Sequence, residues 1–431
     1  MSSPLALPTS QTTRVRYRVA GLMFALAMIT YLDRACIATL APAIMAEFSL
    51  SKVQMGYVFS AFAFAYAAFE IPTAHYADRI GTRAVLTRIV VWWSAFTMAS
   101  GAAFNYVSLL VARFLFGAGE AGAWPSAART FARWIPKKER GTIQGMFFSA
   151  AYLSGALTPL IVAFLLNFMS WRVVLVVFGF VGLTWAAIWH VWFRSEPEEH
   201  PAVNEAERAL IRAGCDPLAP HPKGGRFWRK ILLSRNVLAL CLMYFPNSFV
   251  FYFCITWLPT YLRERHHFAD RSLDIFTGLP LFFGMVGVVV GGFVMDRLTA
   301  RFGERVGRCG LGAAAYSVAA LCLFIAPFSG DPIAAAVLIS VAMAGNTFTL
   351  SAAWNTCIDI GGNNAGVVSA MMNTAGQIGS LLCPLIVAYT LKWFNNWDIS
   401  IFIMSALFFI GALCWGIIMP DRKISFDTVA S

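Results

Sequence analysis

Twelve apolar runs, each about as long as a bilayer is thick, leave this chain little choice of fold. They lie at roughly 19–41, 53–75, 85–104, 107–128, 141–165, 171–193, 236–261, 275–296, 309–327, 332–354, 365–390 and 399–419. Each is near the ~20 residues that cross ~30 Å of hydrocarbon. In lipid every backbone N–H and C=O must be satisfied inside its own segment, so runs of this length span as α-helices. Short charged clusters separate them, and charge is scarce: 13% of the 431 residues are Asp, Glu, Lys or Arg, against roughly 25% in a soluble domain. The expected fold is an all-α membrane protein with twelve transmembrane helices, and the lipid bilayer is its first partner.

The net charge of +11 raises the question of nucleic acid, and the placement of the basic residues answers it. With twelve crossings both termini share one side, and that side holds 25 of the 33 Lys and Arg. Six lie opposite: Lys52, Arg172, Arg263, Arg265, Arg271 and Lys392. Arg34 and Arg113 fall inside spans. This is the asymmetry of the positive-inside rule, which puts both termini in the cytoplasm of a plasma membrane, a bacterial inner membrane by expectation. The basic excess is topology, and no nucleic-acid partner is needed. Arg14, Arg16 and Arg18 ahead of the first run resemble a signal-peptide start. Cleavage there would discard the intramembrane pair Asp33-Arg34, so the first helix is expected to be retained. Nine cysteines lie scattered without a CxxC or His-Cys cluster, as small apolar helix residues do, so no metal and no cofactor is expected.

The polar, proline-rich stretch 194–235 divides the chain. The expected organisation is a cytoplasmic tail 1–18, a six-helix bundle 19–193, the cytoplasmic loop 194–235, a second six-helix bundle 236–419 and a cytoplasmic tail 420–431. An internal echo supports the division. Span 2 runs into Asp78-Arg79-Ile80-Gly81-Thr82-Arg83, and span 8 runs into Asp296-Arg297 followed by Arg301-Phe302-Gly303-Glu304-Arg305. Two such loops at matching places point to a duplicated six-helix unit.

These paired Asp-Arg…Gly-x-Arg loops, with Arg113-Phe-Leu-Phe-Gly117-Ala-Gly119-Glu120 in span 4, resemble the signatures of the major facilitator superfamily. Narrower features resemble its anion:cation symporter family, which includes bacterial hexuronate, galactonate and glucarate carriers. They are Tyr31-Leu32-Asp33-Arg34, Phe59-Ser60-Ala61-Phe62 with Tyr66, Trp257-Leu258-Pro259-Thr260-Tyr261, and Asn373-Thr-Ala-Gly376-Gln-Ile-Gly379 before Pro384. The resemblance covers nearly the whole chain apart from its tails and central loop. It implies the major facilitator fold, two pseudo-symmetric six-helix bundles.

A charge at mid-bilayer costs roughly 2.5–3.5 kcal/mol even on the gentler insertion scales. The intramembrane set is Asp33, Arg34, Glu70, Arg113 and Glu120, all in the first half. A purely structural ion-pair network is one reading, although apolar partners would stabilise helices more readily. A translocation site is the stronger one. Asp33 and Arg34 are consecutive, so their side chains diverge by roughly 100° and serve different places. Arg113 and Glu120 lie two turns apart on one face, with Gly117 and Gly119 leaving room for a neighbouring helix. The resemblance implies roles: Arg34 holds the substrate carboxylate, Asp33 and Glu120 carry protons, and Arg113 is their charge partner. Glu70 stands where Gln is usual in the family, making a third proton site conceivable.

Polar and aromatic residues complete the expected pocket: Tyr31 and Tyr66 from the first half, Asn247, Tyr252, Trp354, Asn355 and Asn373 from the second. Each is weighed evenly between cavity and helix packing. Asn247 stands near where the vesicular glutamate carriers place a second Arg, which leans toward a monocarboxylic sugar acid. Phe148-Ser-Ala-Ala151-Tyr152 departs from the polar stretch of sugar-acid carriers. Asp78, Arg79, Arg83, Asp296 and Arg297 are expected to gate, with Asp78 capping the start of span 11 when the cytoplasmic side closes. The expected function is proton-coupled uptake of a small organic anion, most simply a hexuronate or aldonate, by alternating access. The alternatives are an uncoupled or efflux carrier for another organic anion such as an aromatic acid, and, more remotely, a transporter-like sensor. No enzyme motif stands out, and no obligatory protein partner is expected.

Overall fold

The structure is a computed structural model that describes residues 12–214, 234–361 and 365–420, and every regular element among them is helical. Helices α1 (Val15–Phe48), α2 (Lys52–Ile80) and α3 (Thr82–Gly101) follow one another through short connections. The fourth rod is broken into α4 (Tyr106–Glu120) and α5 (Ala123–Trp134). Then come α6 (Lys137–Leu166), α7 (Trp171–Trp192) and a short amphipathic helix, α8 (Glu205–Gly214). The second half holds α9 (Arg235–Thr256) with its extension α10 (Leu258–His266), and α11 (Asp270–Phe302). A π-helical turn at Arg305–Gly310 opens α12 (Leu311–Ile325), and α13 (Pro332–Phe348) leads into α14 (Leu350–Gly361). Helices α15 (Ala365–Phe394) and α16 (Asp398–Ile417) complete the set. Among the described residues ten rods are long and apolar enough to cross a membrane, which makes this a multi-pass membrane protein.

Local chemistry explains where rods begin and meet. Asn105 accepts the Ser108 amide at 2.9 Å while the Ser108 hydroxyl answers the Asn105 amide at 3.1 Å, a capping box that starts α4. Asp331 caps α13 by accepting the Ile333 amide at 3.0 Å. Without a hydrophobic drive between helices in lipid, close approach requires small residues at the contact. A Cβ at Gly379 of α15 would lie 2.5 Å from the Phe245 carbonyl of α9. Likewise, α7 passes α3 with Gly182 against the Ser94 hydroxyl.

The chain forms two compact units, and their borders fall inside helices. The first takes the chain up to Asp33, then Ala65–Ser154 and Ser170–Ala219; the second takes Arg34–Phe64, Gly155–Met169 and everything from Pro220 onward. In the first, Trp93, Trp134, Trp189, Phe116, Phe131 and Phe193 are fully buried. A strap from the stretch after α7 ties its lower end. Glu207 of α8, with no exposed surface, accepts the Val15 and Arg16 amides at 2.9 and 3.2 Å and the Thr13 hydroxyl at 2.5 Å. It also takes the Arg16 guanidinium at 3.1 Å, whose other edge pairs with Glu139 at 3.0 Å. In effect α8 supplies the N-cap of α1.

In the second unit the first part of α2 packs with helices of the second half. Lys52 meets Glu264 at 2.5 Å, and the Trp397 indole donates to the same carboxylate at 3.1 Å. The Tyr57 and Tyr389 hydroxyls lie 2.7 Å apart. Ser60 donates to the Leu381 carbonyl at 2.9 Å, and the Phe59 and Trp257 rings meet edge to face at 5.5 Å.

Candidate functional site

The first unit gathers the buried charges. Asp33 of α1 and Glu120 of α4 have no exposed surface, and Arg113 of α4 is 2% exposed. The charges of Glu120 and Arg113 act on the Asp33 carboxylate. The Arg113 guanidinium also lies 4.2 Å from the Phe116 ring centre, its positive charge over the negative face of the ring. Glu70 stands half-buried on α2 of the same unit. In the second unit the half-buried Arg34 places its guanidinium 5.2 Å from the Phe62 ring.

Immediately after Glu120 the fourth rod breaks. Ala121 is extended and Gly122 adopts φ +88, a conformation L side chains rarely take; a Cβ there would also lie 2.5 Å from Thr73 Cγ2. Helix α5 restarts at Ala123 and carries Trp124 in its first turn. Around it rings from two helices, α1 and α6, assemble. Tyr31 of α1 meets Trp124 at 6.1 Å and Tyr152 of α6 at 6.0 Å. Trp124 stacks on Phe148 at 5.4 Å and 13° and meets Phe147 edge-on at 4.8 Å. Tyr66 is buried at 2%.

The polar residues of the second unit are differently employed. Asn247 donates to the Asn346 side-chain oxygen at 2.7 Å, and Asn346 returns a hydrogen bond to the Asn247 carbonyl at 3.0 Å. Asn355 donates to the Ser351 carbonyl at 2.8 Å within its own helix. Tyr252 is buried against Phe251 at 6.0 Å, while Trp354 and Asn373 are half-buried. Of the gating residues, the side chains of Asp78 and Arg79 lie outside those described. Arg83 donates to the His190 carbonyl at 2.8 and 2.6 Å, tying the start of α3 to the end of α7. Asp296 and Arg297 are exposed, with the Arg297 guanidinium 3.9 Å from the Phe293 ring. Sequence reasoning missed Trp93, Trp124, Asn346 and Glu207. The one available signal was the Gly119-Glu-Ala-Gly122 run, which marks the break that presents Trp124.

Apolar rods thus hide two carboxylates and a guanidinium in one unit. The family model of the Major Facilitator Superfamily matches residues 23–384, and the chain belongs to that superfamily. It is 34% identical over 413 residues, 95% of each chain, to a Cupriavidus necator protein named "Probable sulfoacetate transporter SauU". It is 30% identical to the D-galactonate transporter of Escherichia coli, covering 95% of this chain and 97% of that one. The hexuronate transporter of Bacillus subtilis is 31% identical over 85% of this chain and 87% of its own length. Among solved structures, a bacterial homologue of the human lysosomal transporter Spinster, crystallised inward-facing and unoccupied, shares the fold. Its TM-score is 0.76 at 20% identity, over 94% of this chain and 97% of that one. The chain is a membrane transporter of that superfamily.

Proposed function

We propose that the protein takes up a small organic monoanion together with protons by alternating access, in a bacterial inner membrane with both termini cytoplasmic. The observation that carries this reading is the buried trio Asp33, Arg113 and Glu120. An intramembrane carboxylate is tolerated when it is protonated or paired, and a guanidinium that serves two acids lets one charge be exchanged for another. Asp33 and Glu120 therefore carry the proton, Arg113 balances whichever is ionised, and Glu70 is the reserve acid on α2. Arg34 is the next residue of α1 and stays charged throughout. Its planar fork suits the carboxylate or sulfonate of the substrate, so one proton site, Asp33, and the anion anchor move as parts of one helix. Tyr31, Tyr66, Tyr252, Trp354 and Asn373 are the side chains assigned to the body of the substrate. The Asp78-Arg79-Arg83 and Asp296-Arg297 loops act in gating.

Two substrate classes divide this reading. Relatives named for D-galactonate and hexuronate support a monocarboxylic sugar acid. The rings around Trp124 and the commitment of Asn247 to Asn346 favour a flat acid. Coupling is tested in proteoliposomes under an imposed pH gradient. Glu120→Gln, a permanent mimic of the protonated acid, is expected to abolish proton-driven accumulation while leaving substrate exchange measurable. Full accumulation by that variant would move the proton elsewhere, with Glu70 the next to test.

A further inference from the structure

The break after Glu120 has a use that the proton site alone does not require. It turns the chain so that Trp124, in the first turn of α5, projects beside α1 and α6, where Tyr31, Phe148 and Tyr152 meet it. Tyr31 and Tyr152 are only 8% and 7% exposed, whereas Trp124 and Phe148 keep more accessible surface. Their planes are within 13° of parallel and the two rings stack on each other, so what they leave for a third flat group is an outer ring face and the ring edges. Irregular backbone inside a membrane is tolerated where it lines a cavity, and broken helices in transporters sit at their binding sites.

We propose that Trp124 and Phe148, backed by Tyr31 and Tyr152, form a shelf for the flat body of the substrate, and that the substrate is an aromatic or otherwise planar monocarboxylate rather than an open-chain polyhydroxy acid. The inference deepens the organic-anion reading above and rests on it. A planar acid gains offset or edge-on contact with these rings. An open-chain hydroxy acid has no flat apolar face, and each hydroxyl laid against a ring without a partner is penalised. Two of the amides that could meet such hydroxyls are engaged elsewhere, Asn247 with Asn346 and Asn355 with Ser351. The shelf begins two residues past the break, directly after Glu120.

The test uses the full chain in proteoliposomes with 4-hydroxybenzoate, D-galactonate and sulfoacetate as probes under one pH gradient. The expected result is at least tenfold higher kcat/KM for 4-hydroxybenzoate than for D-galactonate. Trp124→Ala should raise KM for 4-hydroxybenzoate about three- to tenfold with little change in kcat, and Trp124→Phe should restore it. Phe148→Leu gives the same KM reading should Trp124→Ala fail to fold. Preference for D-galactonate, or an unchanged KM in the ring variants, overturns the shelf while leaving the carrier reading in place. Preference for sulfoacetate likewise overturns the shelf alone, whereas transport of none of the three acids by the folded protein overturns the proton-driven organic-anion reading and the shelf with it.

Discussion

Glu207 is the residue whose removal should matter most for its position in a polar stretch. Its carboxylate, fully buried, takes two amides and a hydroxyl at the start of α1 and the Arg16 guanidinium. Losing an N-cap costs about 1 kcal/mol, and losing a charged hydrogen bond costs ~1.5–3 kcal/mol. Arg16, 5% exposed, keeps Glu139 at 3.0 Å. The total therefore falls toward the lower end of the ~3–5 kcal/mol of a buried charge stripped of every partner. Glu207→Ala is expected to destabilise the first unit by ~3 kcal/mol. The assay is thermal unfolding in detergent, with a double-mutant cycle against Arg16→Gln. Burial pushes the Glu207 pKa up, but the hydrogen bonds from Thr13, Val15 and Arg16 outweigh it and hold it below the usual glutamate range. A depressed folded pKa means the contribution is whole above the unfolded value of ~4.3 and is lost as pH falls through the folded one. The gap between wild type and variant should be equal at neutral and mildly acidic pH, closing only below about pH 4. Additive effects within about 0.5 kcal/mol, or a wild-type melting curve, would refute the strap.

Arg34→Lys should cripple substrate binding, because a point charge does not reproduce a bidentate fork; near-normal affinity in equilibrium binding would remove Arg34 from the site. Gly122→Ala should cost ~1–2 kcal/mol in backbone strain alone, before its Cβ meets Thr73, and should depress transport more than Gly21→Ala, where a Cβ has open space. Asp78→Asn should slow net uptake by shifting the balance of conformations, up to about tenfold for ~1.4 kcal/mol, with the affinity of the pocket unchanged; a changed affinity would place Asp78 outside gating.

The fold was legible because lipid admits so few solutions: a run of apolar residues long enough to cross must be helical, whatever it later packs against. The buried trio was legible for a related reason, since Asp33, Arg113 and Glu120 stand out against apolar neighbours. Asn346 and Trp124 do not stand out. Amides and indoles are ordinary in membrane helices, and only the approach of α9 to α13, or the turn at Gly122, gives these two a partner. Glu207 was hidden by the opposite contrast, a charge among charges in a polar stretch. The break in the fourth rod depends on a positive φ at Gly122, which composition alone does not reveal. Asn247 shows the converse: a polar residue correctly noticed in an apolar run, whose amide turns out to hold two helices together.

The cap on α1 also has an order in time. Val15 leaves the ribosome 192 residues before the carboxylate that receives its amide, a delay of roughly 10–40 s at ordinary rates of synthesis. Throughout that interval the first helix must enter the membrane with its leading amides and the Arg16 guanidinium served by water or by lipid phosphates. Docking of α8 then dismisses those temporary partners, so the start of the nascent chain is finished only after the whole first half has emerged.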